Sequence, residues 1–207
     1  MNQNLFYLLV LLATPFWGFG QIALENPSFE GIPRDAAVPD GWEACGVYST
    51  PDILPGFWEV ENEPVEGNSF LGLITRSDET IEFIAQMLDE PLQKSECYVF
   101  NVHLARSATY ADFNLPVRLR IWGGHELCQR KQLLGQSKPI THQDWRRYEF
   151  MMIPKNNYRF LILEAYFLAG PSIAYNGNVL VDNCSIIEVC DRVLINDDNE
   201  LSTNRGR

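Results

Sequence analysis

Histidine is scarce in this chain, three among 207 residues. His103, His125 and His142 stand in unrelated contexts and no GxSxG segment occurs, so a serine nucleophile with a partnered imidazole has no support. CxxC pairs and Cys/His clusters at zinc spacing are absent too, which argues against a sulfur-bound metal. After the first twenty residues no stretch is long and apolar enough to cross a bilayer. No helical period persists over three turns, and no internal repeat is found. Basic residues are outnumbered, 16 Lys+Arg against 27 Asp+Glu, for a net charge of −11. So acidic a chain repels phosphate backbones, which argues against nucleic acid and anionic membranes as partners.

What is present begins with an apolar leader. Residues 1–20, "MNQNLFYLLVLLATPFWGFG", carry no ionisable side chain, and the apolar run from Leu5 to Ala13 is shorter than the about 20 residues a spanning helix needs. Gly18 and Gly20 supply small residues at −3 and −1 of a cleavage site, with Gln21 as the new amino terminus, so 1–20 reads as a secretory signal peptide, although its n-region lacks Lys and Arg. No cysteine follows closely enough for a lipid anchor. Residues 21–190 have the size of one domain, and at 46% hydrophobic and 12% aromatic the chain can fill a core. From Asp191 onward, "DRVLINDDNELSTNRGR" is polar and aperiodic, a disordered tail.

Strand patterns dominate the domain. In "LPVRLRIW", Leu115, Val117, Leu119 and Ile121 alternate with Arg118, Arg120 and Trp122, the pattern of a strand with one wet face. "CYVFNVHLAR" puts Tyr98, Phe100, Val102 and Leu104 inward and Asn101 and His103 outward. Further strands are expected at 69–75, 81–88, 147–153, 159–167 and 179–189, separated by turn clusters such as "PVEGN", "WGGH" and "YNGN". Many short strands at this spacing predict an all-β, two-sheet antiparallel sandwich. The last strand breaks phase: Val179 and Val181 are apolar at odd positions, Cys184 and Ile186 at even ones. A bulge at Asp182-Asn183 accounts for this and sends Cys184 into the core as a small hydrophobe. Five cysteines follow the leader, an odd number, and Cys184 is the expected free thiol.

"NPSFEG" at 26–31, "PDGW" at 39–42 and "NVLVDNCSI" at 178–186 resemble the first, second and last strands of galactose-binding-like jelly rolls, a group that includes carbohydrate-binding modules. The longer series of segments, with "STPDILPGFW", "CYVFNVHLARS", "LPVRLRIWGG" and "LILEAYF", is similar to N-terminal modules of exported envelope proteins of Gram-negative bacteria. The resemblance spans about 25–190. Two departures stand out: no second domain is expected after the module, and Cys184 stands where such last strands usually carry an aliphatic residue. In such jelly rolls the terminal strands lie side by side, often with a structural calcium between them. The resemblance thus implies Glu30 and Asp182 as acidic calcium ligands, completed by carbonyl oxygens; the alternative is that Glu30 only accepts backbone hydrogen bonds and Asp182 stabilises its own bulge. The same topology brings Cys190 to Cys97 and leaves Cys45 for Cys128.

Sugars offer C–H faces that stack on aromatic rings and hydroxyls that need paired donors and acceptors. Trp122 shares a wet face with Arg118 and Arg120, and Asn101 and His103 occupy the wet face of another strand; if these faces adjoin, they form a platform. The loops add Asp52 and Trp58, and Arg106 and Tyr110. Trp42 and Trp145 read as packing, whereas Trp122 and Trp58 suit either packing or stacking. Glu164 and Glu149 are the carboxylates a glycosidase reading would use, but alternation does not pair them, and Glu164 reads better as a part-buried carboxylate bonded to Arg or backbone. The expectation is an exported, non-catalytic carbohydrate-binding module. Its rivals are an interaction module docking on a cell-envelope protein without a sugar and, further off, a polysaccharide-degrading enzyme. Free secretion, the periplasm and the outer surface all remain open.

Overall fold

The computed structural model describes residues 20–46, 48–169 and 173–190; the expected signal segment up to residue 19 and the expected tail from 191 lie outside the described residues. Among the described residues, thirteen strands form two sheets. The larger contains β1 (Gln21–Ile22), β3 (Asp52–Leu54), β4 (Phe70–Thr75), β6 (Tyr98–Ala105), β7 (Leu115–Pro116), β10 (Arg146–Met152), β12 (Gly177–Asp182) and β13 (Ile187–Val189). The smaller runs in the order β2 (Glu43–Cys45), β5 (Phe83–Leu92), β11 (Tyr158–Tyr166), β8 (Arg118–Gly124), β9 (Gln132–Gln136). All pairings are antiparallel except the two-residue contact of β7 with β12. The expected two-sheet sandwich is the fold.

One core fills the space between the sheets. Leu119 and Ile121 of β8 and Leu161 and Leu163 of β11 face Phe100, Val102 and Leu104 of β6 and Leu71 and Leu73 of β4, all fully buried. Each such side chain contributes about 1.5–3 kcal/mol relative to exposure. A second cluster lies on the outer face of the larger sheet, where Leu54, Phe70, Ile74, Ala105 and Leu180 are covered by Val60 and Tyr110. Those two come from loops at 55–69 and 106–114, which roof this face. Strands β4 and β12 are consequently buried along their whole length, as expected for strands covered on both sides.

The chain ends meet as expected: Gln21 pairs with Glu188 and Ile22 with Ile187. The phase break is also present, but with a different outcome downstream. Strand β12 ends at Asp182, Asn183 takes a left-handed φ of 49°, and Cys184 enters the core. Pairing with β6 resumes at β13, where Ile187 is inward and Ile186 is 46% exposed. The expectation that Ile186 packs inward is therefore corrected; a second irregular stretch at 183–186 restores the original phase. The disulfides are Cys45–Cys128 and Cys97–Cys190, and Cys184 is free and buried. Both pairings and the free thiol agree with expectation.

"NPSFEG" is not the first strand. It is a turn: Asn26 accepts the Glu30 amide through Oδ1 at 2.7 Å and donates through Nδ2 to the Glu30 carbonyl. Asn26 and Phe29 both have positive φ, and the turn drops Phe29 into the core against Trp42. "PDGW" leads into β2 rather than forming it.

Candidate functional site

Register fixes which side chains share the outer face of the smaller sheet. One row across it runs Cys45, Phe83, Glu164, Arg120, Gln136, and the next runs Glu43, Ala85, Ile162, Trp122, Leu133. Tyr166 and Arg118 pair in a third row beside Arg120. Alternation in β8 is complete: Arg118, Arg120 and Trp122 are half-buried while Leu119 and Ile121 are sealed in the core.

Glu164 anchors this face. Its carboxylate is fully buried, and Trp122 Nε1 donates to its Oε2 at 2.8 Å. Arg130 donates to Oε1, and Arg120 stands 4.0 Å from Oε2. A carboxylate with cationic and indole donors converging on it satisfies the rule that buried charges be paired. It thereby fixes the planes of the groups around it. Arg120 lies 3.2 Å from the Tyr166 ring centroid, a cation–π contact, and its Nε donates to Gln136 Oε1 at 2.8 Å. Arg130 arrives on the loop after β8 and lies over Phe83. The Cys45–Cys128 disulfide straps that loop down over the sheet. What stays partly accessible is a strip of Trp122, Arg120, Tyr166 and Arg118, each half-buried, with Gln136 exposed beside them.

The other expected binding residues fall elsewhere. Asn101 and His103 are on β6 of the larger sheet, facing away from the core on the opposite side of the sandwich from Trp122. The single platform that would join them to Trp122 is thus excluded: the two faces point in opposite directions, and Asn101 is not on a wet face but buried, its backbone amide donating to Ser185 Oγ. Glu149 is exposed on β10 of the larger sheet, so it does not pair with Glu164 across a groove. Arg106 turns into its own loop, donating to the carbonyls of Asn114 and Ser107. Asp52, Trp58 and Tyr110 do come together, at a cavity under the roof of the larger sheet. Trp42 is core, and Trp145 packs on Phe70.

Glu30 and Asp182 both grip the loop at 65–69. Asp182 Oδ2 accepts the amides of Val65 at 2.6 Å and Glu66 at 3.2 Å, and Oδ1 accepts that of Asn183. Glu30 accepts the amides of Asn68 and Ser69. Gly67 (φ 69°) sits against the Glu30 carboxylate where a Cβ would collide. Burial pushes the Asp182 carboxyl up to about 6, its amide partners oppose this, and the nearby charge of Glu30 adds to it.

Tyr166, Gln136 and Arg130 were not singled out from sequence. Tyr166 was within reach, since Glu164 and Tyr166 are two apart on one strand and share a face. Arg130 had no such signal, because a loop residue's direction is not set by strand alternation.

No family model matches the chain, and no curated protein matches it in sequence. Solved structures do match in shape. The xylan-binding domain of Xyn10C from Paenibacillus barcinonensis is 15% identical with a TM-score of 0.50, over 83% of this chain and 96% of that domain. The K1 cleaved adhesin domain of Lys-gingipain from Porphyromonas gingivalis is 11% identical with a TM-score of 0.50, over 79% and 96%. An arabinose-bound α-L-arabinofuranosidase gives a TM-score of 0.59 at 11% identity, but this chain covers only 27% of that enzyme against 83% of itself. The likeness is to a module and not to a whole enzyme. In architecture, the chain shares the two-sheet antiparallel β-sandwich fold of these domains.

Proposed function

We propose that this protein is an exported carbohydrate-binding module that holds its ligand on the strip of Trp122, Arg120, Tyr166, Arg118 and Gln136. The observation that carries the reading is the buried Glu164, which orients the Trp122 indole and steadies Arg120 against the Tyr166 ring. Rings held in advance bind without a large ordering cost. The strip runs along β8 from Arg118 to Trp122, with Tyr166 and Gln136 beside it, so it suits a chain of sugar units more than a single ring. Xylan-type oligosaccharides head the ligand panel because a similar fold binds xylan. Two disulfides accord with an oxidising compartment.

Calorimetry against neutral polysaccharides and their oligosaccharides tests this. Saturable binding is expected, weakened at least about tenfold, or about 1.4 kcal/mol, in Tyr166→Ala and in Trp122→Ala. Silence across the panel, with capture of a defined envelope protein instead, would transfer the module to the protein-docking class.

The Glu30–Asp182 clasp is proposed as a calcium site. The donors suit the ion in kind: both are hard oxygen ligands, and no salt bridge to a cationic side chain engages either among the described residues. Among those residues no group of three or more His, Cys, Asp or Glu is arranged for a metal, so carbonyls and water would complete the shell. A melting rise with calcium that chelator reverses is expected; no heat on titration and no shift would end this reading.

A further inference from the structure

The opposite side of the sandwich holds a feature of different chemistry. Where the loops roof the larger sheet, Asp35, Asp52, Trp58, Arg76, Tyr110 and Phe113 line a cavity of about 200 Å³. That is below the about 300–1,000 Å³ of pockets for drug-sized ligands, so it has room for one ring or headgroup and not for a chain. Gly72 makes the floor possible. It lies in the row Asp52, Gly72, Leu180, Ala105 across three registered strand pairs, and a Cβ there would meet the Tyr110 hydroxyl at 2.7 Å.

The charges are unequally compensated. Arg76 is committed to Glu82: its Nη2 donates to Glu82 Oε1 at 2.6 Å, and Glu82 is fully buried. Asp52 and Asp35 form no ion pair among the described residues. Asp52 is 4% exposed; it accepts the Ala36 amide at 2.7 Å and the Tyr110 hydroxyl. Burial raises its carboxyl above the ordinary range, its hydrogen bonds oppose this, and the charge of Asp35 adds to the rise. A cation entering here would meet two carboxylates without an ion-pair partner among the described residues and three aromatic rings, beside an arginine already paired with Glu82, and carboxylates with rings are the combination that attracts ammonium groups. Trp58 is 47% exposed and, like Glu59 after it, has a left-handed φ, 54° and 60°. Such a conformation is costly for side chains of this size and is found preferentially at ligand-contacting loops.

We propose that this cavity is a second binding site, separate from the Trp122 strip, that takes an ammonium group, protonated or quaternary, carried on a small ring or headgroup. The carboxylates supply the charge complement, the rings enclose the ammonium, and the cavity's size restricts the ligand to one unit. An amino sugar and a quaternary ammonium headgroup share this chemistry.

The test titrates the full chain, at low ionic strength, with glucosamine, N-acetylglucosamine and choline. Saturable binding of glucosamine, choline or both is expected, with N-acetylglucosamine at least about tenfold weaker, since acetylation removes the charge. Glucosamine alone would identify an amino sugar, choline alone a quaternary headgroup. Trp58→Ala and Asp35→Asn, both at exposed positions, should each weaken binding at least about fivefold, or about 1 kcal/mol, while Tyr166→Ala leaves it unchanged. Equal binding of N-acetylglucosamine, absence of binding by both amines, insensitivity to both cavity variants, or loss in Tyr166→Ala would each overturn the proposal.

Discussion

The two outer faces of this sandwich are built on opposite plans. On the smaller sheet the face is open: polar and aromatic side chains stand on the strands themselves, and a single disulfide-tied loop crosses it. On the larger sheet, part of the face is roofed by two loops, and the strands beneath carry a second apolar cluster. Each site nevertheless draws on a fully buried glutamate tied to an arginine: Glu164 to Arg130 on the open face, and Glu82, just before β5, to the cavity-lining Arg76. The difference teaches where recognition is set: by strand alternation on the open face, by loop packing on the roofed one.

The largest expected effects come from removing these glutamates. Either Glu164→Ala or Glu82→Ala strands a guanidinium, and breaking a buried pair costs about 3–5 kcal/mol. The lower end is expected, because both arginines keep contact with water. Urea denaturation measures the loss. The faces should then separate by ligand: Glu164→Gln, which keeps an acceptor, should impair glycan binding alone. Glu82→Gln frees the Arg76 charge at the cavity and should impair amine binding alone. If either variant damaged both activities equally, the two faces would not be independent sites.

Next in size is the strap. Replacing Cys45 and Cys128 by Ala opens a loop of sequence separation 83 and should cost about 2–4 kcal/mol. Because the strap delivers Arg130 to Glu164, glycan affinity should fall as well. Removing Cys97–Cys190, which joins the end of the last strand to the start of β6, should destabilise comparably and leave affinity intact. Equal affinity losses in both variants would show that the strap has no positioning role.

The same contrast explains what was legible in the sequence. "LPVRLRIW" could be read residue by residue because one face is wet, and Arg118, Arg120 and Trp122 emerge where alternation puts them. "FLGLIT" and "GNVLVD" are buried on both faces and carry no alternation to assign a side. Which sheet each strand joins is decided by long-range pairing, and that is why Asn101 and His103 could be placed outward yet not placed opposite Trp122. Gathering Asp52, Trp58 and Tyr110 depends on loops closing over Gly72, for which local sequence offers no rule. The cysteines were readable because the resemblance supplied a topology, and the bulge at Asp182 had already set Cys184 apart.

The smallest expected effect concerns pH and belongs to the roofed face. Asp182, held up to about 6 mainly by burial, binds its proton more tightly in the folded protein than in the unfolded chain, where an aspartate titrates near about 3.9. A raised carboxyl contributes stability that is complete below the unfolded value and is lost as pH rises through about 6. Asp52 and Glu82, both raised chiefly by burial, push in the same direction. Denaturation at pH 5 and at pH 7.5 in chelator should show the protein more stable at the lower pH. Asp182→Asn should remove about 1–2 kcal/mol of that difference. Calcium at pH 7.5 should shrink it too, since an ion bound by the ionised carboxylate stabilises the folded state in proportion to its occupancy. An unchanged pH slope in Asp182→Asn would mean that its three amide donors already hold the carboxylate ionised throughout that pH range, down to pH 5. The 65–69 loop would then be clasped by charge-assisted hydrogen bonds alone, and the case for a cation between Glu30 and Asp182 would lose its electrostatic basis.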